Sequence, residues 1–231
     1  MINLFKSKTL NQQRFSDPTL NMNCSEFEIN KWIISDFVLK KLVSVAGTHP
    51  FPLDELMLMS STVAHFRPKY IFEWGTHIGK SARIFYETIK AFDISCHIHS
   101  IDLPDDVEHV EHPKHKRGQL VQGLKEVTLN QGDGISTAME IYKTLSGEPS
   151  VLFFVDGDHE YESVKRELEI ILQQVKKPAI LLHDTYYQSE EANYNIGPYR
   201  AIQDTIRGKE KLYKLISVKT GLPGMTLIFQ R

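Results

Sequence analysis

Short apolar runs and amphipathic segments alternate along most of the chain. Apolar, aromatic and β-branched runs predict strands at 70–74, 97–102, 126–129, 151–156 and 179–183. Segments with apolar residues at helical spacing lie between and after them and predict helices near 80–92, 135–145, 161–175 and 198–206. Alternation of this kind is typical of βαβ units. It predicts a doubly wound α/β fold with a mostly parallel sheet and helices on both faces.

The two ends of the chain depart from this alternation. Residues 1–25 are polar and rich in Asn and Ser, so we expect a loose arm there. Residues 26–66 predict helices, with Trp32 in the core, as we also expect for Trp74 in the first strand. Two further runs, 212–218 and 225–230, predict an antiparallel hairpin at the sheet edge and bring the sheet to seven strands.

Length and composition narrow the classes of protein to consider. The 231 residues predict a single domain, with an N-terminal arm and helices over 1–66 and an α/β core over 67–231. A formal charge of −2 and a pI near 6.6 give no reason to expect a nucleic-acid partner. No run is long enough to cross a membrane, and two cysteines make no disulfide framework. We therefore expect a cytoplasmic protein.

The first strand turns into a helix through two glycines. The pattern is E-x-G-x-x-x-G-x-S, running from Glu73 through Gly75 and Gly79 to Ser81. Glycines at such a turn let a ligand approach the backbone and the N–H groups of the helix start. The spacing differs from the G-x-G-x-x-G of dinucleotide enzymes, which favours a ligand with an amino-acid end and an adenosine end. An ordinary turn whose glycines serve only the chain reversal is the alternative.

Acidic residues stand at the end of strand after strand. Ligands of open parallel sheets bind beyond the carboxyl ends of the strands. Asp102 occupies the position where a carboxylate takes ribose hydroxyls, although a helix-capping or loop carboxylate is the alternative. Asp133 lies between two glycines and is either a ligand residue or a plain turn residue. The remaining acidic residues of this edge are Glu73, Asp156, Asp158 and Asp184.

Three segments together resemble a known family. Residues 73–81, 155–165 and 181–185 are similar to class I S-adenosylmethionine-dependent methyltransferases, in the branch of macrocin and mycinamicin O-methyltransferases and cephalosporin-hydroxylase-like proteins. The resemblance covers about residues 50–210. It implies a Rossmann-like fold, S-adenosylmethionine as cofactor, and methyl transfer to a hydroxyl of a small molecule, such as a sugar or glycoside, with the assistance of a divalent metal.

The resemblance also implies roles for individual residues. The residues that would hold the amino-acid end of the cofactor are Glu73, Gly75, Thr76, Gly79 and Ser81. Asp102 would bind the ribose and Asp133 the adenine. Asp156 and Asp184 would be metal ligands, with Asp156 also bordering the cofactor, and His159 would be the general base. His159 as a helix residue without chemistry, and Asp158 as a helix cap, are the alternatives.

One position departs from the family pattern. His183 stands where close relatives have Glu or Asp beside Asp184. Mg²⁺ prefers oxygen ligands, so His183 weakens the case for Mg²⁺ or shifts the choice to a metal that accepts imidazole. A metal-free site, with His183 as a buried residue that orients Asp184, is also open.

The sequence leaves two other functions and a second subunit open. An NAD-type oxidoreductase and a non-catalytic nucleoside-binding module are the two alternatives to methyl transfer. The His-rich and Lys-rich segment 109–117 is either a solvated loop or a lid over the acceptor. The apolar helices of residues 26–66 could pack against a second subunit to form a homo-oligomer.

Overall fold

A seven-stranded sheet organises the chain in the computed structural model, which describes residues 26–108, 114–192 and 195–230. The strands are β1 (Tyr70–Trp74), β2 (His97–Asp102), β3 (Val127–Gln131), β4 (Val151–Val155), β5 (Ala179–His183), β6 (Tyr213–Val218) and β7 (Met225–Gln230). Their order is β3-β2-β1-β4-β5-β7-β6. The first five strands pair in parallel, whereas β7 is antiparallel to both β5 and β6. The predicted fold class, including the C-terminal hairpin, is confirmed.

Helices cover both faces of the sheet. They are α1 (Lys31–Phe37), a π-helical turn (Val38–Leu42), α2 (Val43–Ala46), α3 (Leu53–Phe66), α4 (Lys80–Ala91), α5 (Gly134–Thr144), α6 (Tyr161–Gln174) and α7 (Ile196–Ile206). The N-terminal helices through α4 bury their apolar residues in one core cluster, and α5, α6 and α7 bury theirs in another. The sheet is therefore the middle of three layers, as the alternating sequence pattern predicts.

The central strands are apolar on both sides because both sides are covered. Every residue of β4 and β5 is buried. Successive side chains of a strand point to opposite faces, so Phe153 joins the core of one face and Phe154 the core of the other. Such strands read as continuous apolar runs, which explains why β5 has the bounds that the sequence predicts.

Trp32 contradicts the expectation that it lies in the core. Its side chain is 73% exposed, while Ile34, Phe37 and Val38 take the inward positions of the same helical segment. The sequence prediction was wrong because the apolar residues of 26–46 exceed what one helix face can bury. Trp74, by contrast, is 3% exposed and lies in the core as expected.

Some sequence expectations fall outside the described part of the chain. The arm predicted at residues 1–25 is one of them, and His109 and His112 of the His-rich segment are others. Within the described ranges, no helix combines the length and apolar character needed to cross a bilayer. Cys96 is buried, and burial raises the pKa of its thiol to about 12.

Candidate active site

The turn after β1 leads directly into the N-terminus of α4. Gly75 and Gly79 have φ values of 91° and 86°, a region that glycine adopts without steric cost. A Cβ atom on Gly75 would overlap the backbone carbonyl oxygen of Asp156, so the turn lies against the end of β4. No side chain of the described residues caps α4. The N–H groups of its first turn are therefore suited to a carboxylate or another anionic group of a ligand.

Glu73 forms a buried polar cluster beneath this turn. The hydroxyl groups of Ser81 and Ser100 both donate hydrogen bonds to its carboxylate, and Ser100 is 2.6 Å from the hydroxyl of Thr76. The Glu73 side chain is fully buried. Burial raises its pKa to about 7 and outweighs the two serine hydrogen bonds, which lower it. The structure thus brings together Glu73, Thr76 and Ser81, three of the predicted cofactor residues.

Asp102 lies at the end of β2, beside the glycine turn. Its Oδ2 accepts a hydrogen bond from the backbone N–H of His77 at 3.0 Å and lies 3.4 Å from Nε of Arg117. Arg117 also donates to Oδ1 of Asp105 at 2.7 Å. The carboxylate predicted to bind ribose is therefore held in place by the turn on one side and by a buried arginine on the other.

Asp133 caps the N-terminus of α5. Its Oδ1 accepts a hydrogen bond from the backbone N–H of Ser136 at 3.0 Å. Arg166 of α6 donates to Oδ2 of Asp133 at 2.7 Å. Burial alone would raise the pKa of Asp133, but the contacts with Ser136 and Arg166 lower it below its ordinary value. The capping geometry agrees with the turn alternative, and the adenine role of Asp133 stays a prediction.

Two carboxylates and two histidines meet beyond the ends of β4 and β5. His183 Nδ1 is 2.9 Å from Asp156 Oδ1 and 3.2 Å from Asp184 Oδ2. His159 Nε2 is 3.2 Å from Asp184 Oδ2 and 3.9 Å from Asp156 Oδ1. The predicted general base and the predicted metal ligands therefore form one cluster. The His159 side chain is 44% exposed and faces solvent from the rim of the cluster.

Contacts within the cluster shift the pKa values of Asp156, His159 and His183. Burial by itself would raise the pKa of Asp156, but the charges and hydrogen bonds of His183 and His159 lower it. Asp156 and Asp184 raise the pKa of His159 above its ordinary value. Burial disfavours a charged His183, yet the neighbouring carboxylates outweigh burial and raise its pKa well above the ordinary value. Carboxylate charge therefore dominates the electrostatics of this site.

Glu55 of α3 is a member of the site that the sequence analysis missed. Its Oε2 is 3.1 Å from His183 Nε2, and its Oε1 accepts a hydrogen bond from the backbone N–H of Gly224 at 2.8 Å. The residue is 2% exposed. The only signal in the sequence was an acid on the inward face of a helix, at helical spacing from buried Leu58 and Met59.

A family model described as "Methyltransferase domain" matches residues 72–186, about half of the chain. The chain is a methyltransferase. The matched region of this methyltransferase runs from β1 to just beyond β5 and contains the predicted site residues from Glu73 to Asp184. Glu55 lies outside it. No curated protein matches the sequence.

Solved structures of other methyltransferases share the fold. An O-methyltransferase of Bacillus cereus in complex with SAH (S-adenosylhomocysteine) has a TM-score of 0.58 at 13% identity, over 88% of this chain and 93% of that one. An SAH-bound methyltransferase of Podospora anserina has a TM-score of 0.54 at 19% identity, over 87% of each chain. A TDP-rhamnose 3′-O-methyltransferase of calicheamicin biosynthesis has a TM-score of 0.54 at 13% identity, over 84% and 86%. At these identities the likeness shows a common fold.

Proposed function

We propose that this methyltransferase transfers the methyl group of S-adenosylmethionine to a hydroxyl oxygen of a small molecule, a sugar or glycoside. One observation carries the proposal. The glycine turn after β1 packs against the backbone of Asp156, and the side chain of Asp156 belongs to the cluster that contains His159. A cofactor held at the turn would therefore lie near His159, which is the most exposed member of the cluster and can accept a proton.

The proposed cofactor site has a suitable partner for each end of the molecule. The carboxylate of Glu73 would pair with the ammonium group of the amino-acid end, and the uncapped start of α4 would take its carboxylate. Asp102 would accept hydrogen bonds from the ribose hydroxyls, and Asp133 would contact the adenine. The two SAH-bound relatives of the same fold support this choice of cofactor.

His159 is the proposed general base. Its Nε2 faces Asp184 at 3.2 Å and would donate to that carboxylate, so its Nδ1 would accept the proton of the acceptor hydroxyl. The hydroxyl oxygen would bond to the methyl carbon as the carbon–sulfur bond breaks and SAH leaves. Asp184 would stabilise the imidazolium that forms. Acceptor, base and methyl group must be aligned within near-contact distance, and such positioning supplies much of the acceleration of a group transfer.

The cluster also fits a divalent metal. Donor atoms of Asp156, His183 and Asp184 all lie within 4.8 Å of one another, and the three residues are largely buried. These residues would hold the ion. A bound ion would lower the pKa of an acceptor hydroxyl and fix its position. A vicinal diol of a sugar suits such a site, and the fold shared with a TDP-rhamnose 3′-O-methyltransferase supports the choice of a sugar-like acceptor.

The cofactor assignment is tested by calorimetric titration of the full chain with SAH, with and without Mg²⁺, and with NAD as the comparison. We expect saturable binding of SAH and none of NAD. Binding of NAD instead would favour the oxidoreductase alternative. The absence of SAH binding in every condition would contradict the proposal.

The role of His159 is tested with the His159→Ala variant, on the acceptor that gives the highest turnover in a screen of sugars and glycosides. We expect turnover to fall by about 100-fold to 10,000-fold with SAH affinity unchanged, because only proton transfer is removed. His97→Ala is the matched control, since His97 begins β2 at the amino ends of the parallel strands, away from the carboxyl ends where the site lies. Unchanged turnover in His159→Ala would remove this residue from the mechanism.

A further inference from the structure

His183 is held at both of its ring nitrogens. Nε2 faces Oε2 of Glu55 at 3.1 Å, and Nδ1 faces Asp156 and Asp184 at 2.9 Å and 3.2 Å. The ring of Phe51 packs edge-on against the imidazole, with 4.8 Å between the centroids. The ring of His183 therefore has a fixed plane, and each nitrogen has a different set of partners.

Glu55 is itself fixed by the backbone of another element. Its Oε1 accepts the N–H of Gly224, just before β7, so Oε2 is the oxygen that remains for His183. The glutamate is buried on the inward face of α3. A carboxylate oxygen accepts hydrogen bonds, so Oε2 of Glu55 is placed to accept the proton of Nε2 when a metal ion takes the lone pair of Nδ1.

Nδ1 of His183 points into the carboxylate cluster. A metal ion between Asp156, His183 and Asp184 would receive one imidazole nitrogen and two carboxylate oxygens, with Nε2 of His159 at the border. Histidine ligands that donate their other N–H to a carboxylate are the common arrangement of metal-binding histidines. Mg²⁺ selects all-oxygen sites, whereas divalent transition ions accept imidazole readily.

We propose that Glu55 is a positioning residue that presents Nδ1 of His183 as a metal ligand, and that the site therefore selects a divalent transition ion over Mg²⁺. The inference deepens the proposed function, because the ion would act in the same methyl-transfer site. Asp156, His183 and Asp184 would hold the ion without any group of the cofactor or acceptor, so its binding can be measured in their absence.

The first test uses the chelator-treated full chain and two metal ions. Co²⁺ is titrated by absorption spectroscopy, because its visible bands report nitrogen and oxygen ligands, and Mg²⁺ is titrated by calorimetry. We expect one Co²⁺ per chain, bound about 100-fold or more tightly than Mg²⁺. The absence of Co²⁺ binding, or Mg²⁺ binding of equal or greater affinity, would overturn the proposal without any variant being needed.

The second test uses Glu55→Gln. The amide oxygen would take the N–H of Gly224, so the amide NH₂ would face Nε2 of His183 and donate to it. The imidazole proton would then move to Nδ1 and occupy the position of the ligand lone pair. We expect the affinity for Co²⁺ to fall by about 10-fold to 100-fold, as for other residues that orient metal ligands.

Glu87→Gln is the matched control. Glu87 is also a buried glutamate on a helix, but it pairs with Arg83 and Lys41. Its substitution should leave the affinity for Co²⁺ unchanged. Equal affinities in Glu55→Gln and the wild type would overturn the role of Glu55, provided that urea denaturation shows both to be folded.

A double variant tests the assignment of selectivity to His183, and the wild-type titrations of the first test keep the proposal falsifiable if Glu55→Gln is unstable. In Glu55→Gln/His183→Glu, the amide of residue 55 would donate to the new carboxylate, and the donor set would become all oxygen. We expect the preference to shift from Co²⁺ toward Mg²⁺. An unchanged preference would contradict the assignment of selectivity to His183. An SAH titration of the same samples separates the two proposals, because SAH binding without Co²⁺ binding leaves the methyltransferase function standing and removes only the metal inference.

Discussion

The ionisation of Glu73 connects the candidate site with the free energy of unfolding of the chain. It lies fully buried under the glycine turn, and its only described side-chain hydrogen-bond partners are the hydroxyl groups of Ser81 and Ser100. In Glu73→Gln the group that ionises is removed, while the amide can still form hydrogen bonds with both serines. The comparison of the two proteins therefore isolates the ionisation of one carboxyl group.

The size and sign of the effect follow from the pKa of Glu73. Burial raises this pKa from 4.5 to about 7 in the folded chain. Each pKa unit corresponds to about 1.4 kcal/mol, so ionising the folded protein costs about 3 kcal/mol more than ionising the unfolded one. The folded-state pKa is the higher one. The contribution of protonated Glu73 to the free energy of unfolding is therefore fully present below pH 4.5 and is lost as the pH rises to about 7. Above that pH the penalty is constant.

The assay is urea denaturation of both proteins between about pH 5 and about pH 8. We expect the stability of the wild type to fall relative to Glu73→Gln by about 2 to 3 kcal/mol over this range. Glu167→Gln is the control, because burial raises the pKa of Glu167 to about 8 at a different place, and this variant must keep the Glu73 effect. Saturating SAH should reduce the fall, since an ammonium group would stabilise the Glu73 carboxylate. If the free energies of unfolding of wild type and Glu73→Gln change with pH in the same way, the reasoning is refuted.

Two further substitutions test the turn and the ribose position. Gly75→Ala should lower the free energy of unfolding in urea by about 2 to 4 kcal/mol, because its Cβ would overlap the carbonyl oxygen of Asp156 and the positive φ adds strain. Gly147→Ala is the control, because Gly147 also has a positive φ but an added Cβ would meet open space. It should lower the free energy of unfolding by only about 1 kcal/mol. Equal losses in the two variants would contradict this explanation. Asp102→Asn should weaken SAH binding in calorimetry by about 10-fold to 100-fold, because charge-assisted hydrogen bonds to the ribose are lost. The control Asp105→Asn, which touches the same arginine from an exposed position, should bind SAH normally, and a comparable loss in both variants would argue against a ribose contact by Asp102.

The fold could be predicted from the sequence because its strands carry an unambiguous pattern. β4 and β5 are buried on both faces, so they are nearly continuous apolar runs between polar segments. The alternation of strands and helices then predicts that the carboxyl ends of the parallel strands lie at one end of the sheet. Asp156 and Asp184 could be predicted to lie near each other because they follow consecutive strands, which are usually neighbours, as β4 and β5 are here.

The pairing of side chains could not be predicted in the same way. Glu55 and His183 are separated by 128 residues, and no periodicity of the sequence relates them. Arg117 belongs to a segment that looks like a solvated basic loop, yet its side chain is 8% exposed and pairs with Asp102. Trp32 was assigned to the core because tryptophan is usually buried, but its position on the helix faces outward. Such contacts depend on how elements dock, which local patterns do not encode.

The hydrogen bond between Glu55 and Gly224 bears on the order in which the protein is assembled. It joins positions 169 residues apart, near the start and the end of the described chain. Contacts of such wide sequence separation carry a large loop-closure cost and form late in folding. During synthesis the ribosome must release the segment around Gly224 before Glu55 can be fixed and His183 oriented. We therefore expect the nascent chain to form its five parallel strands before its active site, which is completed when the C-terminal hairpin docks.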